Sequence, residues 1–171
     1  YVLQDGDRYR VLAAGYALES EAKEVKDRLV SEGMDCTVYA IEAPGATFRV
    51  SAEEGQLAQV ESGFSALYQA QEAMTQAAIA FDRDGQNVSD GQAAVQQIQQ
   101  DLEQQMAALA AYGDSAPAIA SLLACKGEFT AVLSPLVQSG ASSHTEFAAA
   151  LKYAQLAMTH SYEKMVFALT A

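Results

Sequence analysis

The chain is poor in cysteine and in basic residues, and it lacks the short motifs that announce common chemistries. Of 171 residues only Cys36 and Cys125 carry thiols, too few and too far apart for a thiolate metal cage or a disulfide framework. Two separate buried thiols are the plainer reading; one long-range disulfide, which requires an oxidising compartment, is the other. Ten Lys and Arg stand against 22 Asp and Glu, a formal charge of −12. The deficit is shared: residues 1–66 hold 6 basic and 12 acidic side chains and residues 67–171 hold 4 and 10, so each part is net −6. Such a field opposes phosphate backbones and anionic headgroups, which argues against nucleic acid as a partner. A run of about 18 apolar residues is also missing, so no membrane insertion is expected of this chain. No Gly-rich phosphate cradle, GxSxG elbow or HExxH helix occurs, and the expectation is a non-catalytic protein without cofactor or metal.

What is present is a core-forming composition, with 50% of residues hydrophobic. The chain starts at Tyr1, inside a strand pattern, and a signal or anchor upstream is the expectation, giving a tethered extracytoplasmic protein. In YVLQDGDRYRVLAAGY the pair Asp5-Gly6 is a strong hairpin signal. Tyr1 to Gln4 is therefore expected to fold back on Arg8 to Ala14. Ser20 can cap a following helix whose Ala22, Val25 and Leu29 share a face and whose left-handed stop is Gly33. CTVYAIEAPGATFRVSA then reads as two strand patterns joined by Pro44-Gly45.

From Glu53 the pattern changes to steps of three and four. Leu57, Val60, Phe64, Leu67, Met74, Ala78 and Phe81 recur, with Gln71 at the remaining position, and predict one helix over about 53–82. DRDGQNVSD breaks it; Ser89 is a candidate cap for a helix striped by Val95, Ile98, Leu102, Met106 and Leu109. A third segment, SAPAIASLLACKGEFTAVLSPLVQSG, reads as interrupted at Gly127 and Pro135. Ser143 opens a fourth, with Phe147, Leu151, Ala154, Met158, Tyr162, Met165 and Leu169 on one face. An up-and-down bundle is the economical way to bury these stripes.

RYRVLAAGY followed by SEAKEVKDRLVSEGM and DCTVYAI, and ATFRVSA followed by EEGQLAQVESGFSAL, resemble the two repeats of the SPOR domain, a bacterial cell-envelope module. The resemblance covers about residues 1–66 and leaves 67–171 as a helical extension. It implies an α+β fold, a ferredoxin-like four-stranded antiparallel sheet with two helices on one face. It also implies binding of peptidoglycan glycan strands by the open face, in division or sporulation. Leu12 stands where the family's first strand often has Gln, Ala14 replaces the following Gly, and no strand pattern follows the second helix. The strand at Tyr1 to Gln4 is expected to take the edge that this leaves vacant. The alternative to a glycan binder is a scaffold whose sheet has become a protein-interaction surface, with the helices as a docking or dimerising unit. The partners expected are thus glycan or another envelope protein, with room for a homodimer.

Strand parity separates Tyr9, Val11 and Ala13 from Arg8, Arg10, Leu12 and Ala14. If the first set packs on the helices, Arg10, Leu12, Thr47 and Arg49 point to the open face, while Phe48 and Val50 point inward. Forked guanidinium donors there could engage lactyl carboxylates or sugar hydroxyls; ordinary surface arginines paired with local acids fit the same pattern. His144 and His160 share a predicted helix but fall on nearly opposite sides, so they read as separate cap or groove residues. Asp82, Asp84, Asn87 and Asp90 match a calcium loop in composition but not in register, and read as a polar interhelical loop. The Gln-rich AAVQQIQQDLEQQMAAL is a solvated face or an interaction face.

Overall fold

The computed structural model describes residues 1–16, 18–40, 53–83, 85–113, 116–138 and 143–170. Its elements are β1 (Val2–Asp5), β2 (Arg8–Val11), α1 (Glu19–Ser31), α2 (Glu54–Arg83), α3 (Val88–Ala110), α4 (Pro117–Gln138) and α5 (His144–Thr170).

Helices α2 to α5 form an up-down-up-down four-helix bundle. Each of α2 and α4 lies between α3 and α5, and α2 also touches α4 across the centre. Both ends confirm the alternation. At one, Gly91 early in α3 faces Phe81 late in α2 and Phe147 early in α5; at the other, Gly63 early in α2 faces Leu109 late in α3 and Leu122 early in α4. The core is the sum of the periodic stripes. Val60, Leu67, Met74 and Phe81 of α2, Val95, Leu102, Met106 and Leu109 of α3, and Phe147, Leu151 and Met158 of α5 are all buried. Helix α4 adds Ile119, Leu122, Phe129 and Leu133. Each such side chain contributes about 1.5–3 kcal/mol by leaving water. Among the expected positions Phe64, Tyr162 and Leu169 are half-buried, and Leu57, in the first turn of α2, remains exposed.

Helix ends follow local hydrogen bonding. The Asp90 amide donates to Asn87 Oδ1 at 2.9 Å, so Asn87, and not Ser89, caps α3. Ser143 Oγ accepts from the Glu146 amide at 3.2 Å and starts α5 as expected. Gly33, at φ +86°, ends α1 while the Gly33 and Met34 amides donate to Val30 and Leu29. Ser20 lies inside α1, whose N-cap is Leu18, without a side-chain cap. Helix α4 runs unbroken through Gly127 and Pro135. Pro135 sits in the last turn, where its missing amide forfeits a single bond, while Leu133 and Leu136 beside it are anchored in the core. This helix alone is long and apolar enough to cross a membrane by length and composition, among the described residues. Its Ile119, Leu122, Cys125, Phe129, Leu133 and Leu136 form one wall of the bundle core.

The expected α+β class, with a ferredoxin-like four-stranded sheet, is not what the chain forms. It is mostly helical, and among the described residues its one sheet is the two-stranded ribbon of β1 and β2. The strands do pair antiparallel, Val2 with Val11 through Asp5 with Arg8. The turn is Gly6-Asp7: Gly6 has φ +58° and Asp7 is not left-handed, the primed turn with Gly in first place. Among the described residues β1 has no partner but β2, and Asp35 to Ala40 adopt no strand. The second expected strand, with Thr47, Phe48, Arg49 and Val50, and its Pro44-Gly45 turn lie outside the described residues. The reason for the difference is where the helices spend their apolar faces. The stripe of α2 is consumed by α3 and α5, so it is not available to cover a sheet, and α1 buries no residue against one.

Candidate functional site

The ribbon has two unlike faces. Val2 opposite Val11, and Gln4 opposite Tyr9, share one of them; Val2, Tyr9 and Val11 are 58%, 71% and 83% exposed. Leu3, Arg10 and Leu12 occupy the other and are half-buried. This inverts the expected orientation, in which Tyr9 and Val11 were inside and Arg10 and Leu12 outside. The inversion has a physical cause at the strand's start. The Tyr1 ring lies 5.8 Å from Tyr153 and 5.9 Å from His160, both on α5. The Tyr1 ammonium donates to Leu12 O at 3.1 Å and the Leu12 amide to Tyr1 O at 2.8 Å, so Leu12 shares the docked side. Two residues away, the Arg10 guanidinium sits 4.0 Å over the Tyr39 ring, a cation–π contact. Arg10 and Leu12 are thus together on the inner face; Thr47 and Arg49 fall outside the described residues.

Beyond β2 the chain crosses the α2–α5 seam. The Gly15 amide donates to Gln155 Oε1 at 3.2 Å, Gln155 Nε2 donates to Thr75 Oγ1 at 3.4 Å, and Thr75 Oγ1 donates to Gln71 O at 3.0 Å. Gln155 and Thr75 are 5% and 8% exposed, so this relay satisfies polar groups that would otherwise be costly to bury. A Cβ on Gly15 would stand 2.9 Å from both Gln155 Nε2 and Leu156 Cδ2, which keeps the position small. Sequence reasoning passed over Gln155 and Thr75. The available signal was a polar residue directly beside a stripe position, Ala154 and Met74 respectively.

A cluster of charges follows at the end of α2. Asp82 pairs with Lys152 of α5 at 2.7 Å and with Arg28 of α1 at 3.7 Å. Arg83 reaches Glu24 at 3.5 Å and Glu21 at 4.0 Å. Burial, and then the Asp82 charge, push the neighbouring Tyr16 hydroxyl up from its usual range. A groove of about 470 Å³ opens between the ribbon and α5, lined by Tyr1, Leu12, Asp82, His144, Lys152 and Tyr153 among others. His144 stacks on Phe81 with ring centroids 4.3 Å apart, whereas His160 meets Tyr1; the two histidines act separately, as their spacing implies.

The thiols are both free: Cys125 is buried and Cys36 only half-buried, which corrects the expectation of two buried ones. Burial, with Glu128 nearby, pushes the Cys125 thiol up to about 12, so it stays protonated in the core and is not an activated nucleophile. Among the described residues no group of three or more His, Cys, Asp or Glu could hold a metal ion; Asp84 is outside them. Chemically, the site offers an exposed apolar face, backbone strand edges and a set of mutually paired charges. No family model, curated protein or solved structure matches the chain.

Proposed function

We propose that this chain is a non-catalytic interaction scaffold of the bacterial cell envelope, in which the helical bundle is the rigid support and the ribbon the binding element. The observation that carries the reading is the outward face of Val2, Tyr9 and Val11, on a ribbon in which β1 and β2 pair only with each other among the described residues. An extended polypeptide can add to such an edge by main-chain hydrogen bonds, with alternate side chains resting on the apolar face. The charge of −12 selects a basic partner and steers its approach. The occupant is therefore an extended, basic and apolar segment of another protein. The envelope setting rests on the resemblance of residues 1–66 to the SPOR domain. Glycan binding on an open sheet face is the weaker reading, because Arg10 is turned to the inner side and engaged by Tyr39.

The test is fluorescence anisotropy with a labelled peptide of alternating Val and Lys, beside sedimentation with intact and amidase-stripped peptidoglycan. Wild type should bind the peptide, a Tyr9→Ser, Val11→Ser variant at least about tenfold more weakly, and neither should sediment with the wall. Retention on stripped wall that is lost in Arg10→Ala, Arg49→Ala would replace this reading with the glycan one. Peptide binding indifferent to the ribbon variant would overturn it, as would self-association through the ribbon that excludes the peptide.

A further inference from the structure

We infer that α1 is an ion-operated strap: it docks against the end of α2 through charge, and lifts off as a unit when that charge is screened, leaving the four-helix bundle folded. The inference is independent of what the ribbon binds.

Four observations carry it. No residue of α1 is buried, and its apolar side, Ala22, Val25 and Leu29, reaches only half-burial. A docked helix held by the hydrophobic effect buries a stripe, as α3 does with Val95, Ile98, Leu102, Met106 and Leu109. Where such a stripe would meet α2 there is instead a cavity of about 100 Å³, between Tyr16 and Val25 on one side and Ile79, Asp82 and Arg83 on the other. The polar contacts that bridge α1 to the bundle, among the described residues, are the ion pairs Arg28–Asp82, Glu21–Arg83 and Glu24–Arg83.

The fourth observation concerns what release leaves behind. Asp82 is held more closely by Lys152, at 2.7 Å, than by Arg28, at 3.7 Å. When Arg28 departs, the carboxylate keeps a partner, so undocking strands no half-buried charge. Arg83, Glu21 and Glu24 pass to solvent, where each is readily hydrated. Helix α1 carries the Glu19–Lys23 pair at 2.8 Å and the Gly33 stop, but once detached a helix of 13 residues is marginal in water, so its amides open to exchange when it leaves. At about 1 M salt the Debye length falls to about 3 Å, shorter than any of these separations across the seam.

Hydrogen exchange of the full chain, read by mass spectrometry at about 50 mM and about 1 M NaCl, tests the strap. Amides of residues 19–31 should exchange on the order of tenfold faster in high salt, while those of α3, α4 and α5 hold their rates as internal references. Arg83→Glu should produce the same acceleration at low salt. Adding Glu21→Lys and Glu24→Lys to it should restore protection, which separates a lost latch from a misfolded variant. Protection of α1 that ignores both salt and Arg83→Glu would overturn the inference. So would slower exchange in high salt, the sign of apolar docking, or loss of protection in the bundle together with α1.

Discussion

Phe129, Leu133 and Phe147 are wholly removed from solvent inside the bundle, whereas α1, a helix of 13 residues, buries none of its side chains. The same chain thus uses two means of attachment. Helices α2 to α5 cohere by interdigitated apolar stripes, which act over short range and are not weakened by charge screening. Residues 1–40 attach by rings, a carboxamide relay and ion pairs, each dependent on a few atoms in one geometry. The contrast separates stability from arrangement: the bundle sets how hard the molecule is to unfold, and the polar contacts set where the ribbon and α1 sit upon it.

The largest expected effect breaks the first means outright. Phe129→Ala should cost about 3–5 kcal/mol in urea denaturation, with ribbon and bundle signals lost in one transition. Gly91→Ala comes next, because a Cβ there would stand 2.5 Å from Phe147 Cε1 and 2.9 Å from Phe81 Cδ2. About 1–3 kcal/mol of overpacking is expected, read as a lower urea midpoint with an unchanged slope. Gln155→Ala should sharpen the comparison from the other side. It should lower global stability by about 1 kcal/mol, yet exchange at the Gly15 amide should accelerate well beyond that of any amide in α3.

Glu163→Gln is expected to have the smallest effect. Burial raises the Glu163 carboxyl above its ordinary range, and His160 only partly opposes this. The folded protein therefore holds this proton to a higher pH than the unfolded chain does, and the group weakens the fold as pH rises through its folded value. The variant should melt slightly above wild type at pH 7, and the gap should close as pH falls toward about 4.3, the usual glutamate value. A gap that widens on acidification would show that Glu163 is stabilised as the anion.

The bundle was the legible part, and the reason is periodicity. Val95, Ile98, Leu102, Met106 and Leu109 recur at a spacing that only a helix turns to one side, and all five are buried. That residues 1–12 form a hairpin was legible in Asp5-Gly6, but the turn falls one residue later, at Gly6-Asp7, and Asp5 pairs with Arg8 in the ladder. The ribbon's orientation was not legible. Alternation divides Tyr9 and Val11 from Arg10 and Leu12 but does not say which set docks, and here the more apolar pair faces water because Tyr1 is claimed by Tyr153 and His160. The four-stranded sheet failed for a related reason. A string such as Cys36 to Ala40 carries strand propensity without naming a partner, and pairing between distant segments is a tertiary decision. Gln155 and Thr75 were hidden by the same logic, since a polar residue at the rim of a stripe looks solvated until its partner, 80 residues away, is in place.

Gln155 also fixes an order of events. Its carboxamide receives Gly15 from 140 residues earlier in the chain, so the ribbon leaves the ribosome long before its seat on α5 exists. At roughly 5–20 residues per second, the wait is on the order of ten seconds. Throughout it residues 1–12 have neither Tyr153 nor His160 to dock on, so the hairpin, marginal on its own, acquires an inner and an outer face only when α5 is complete.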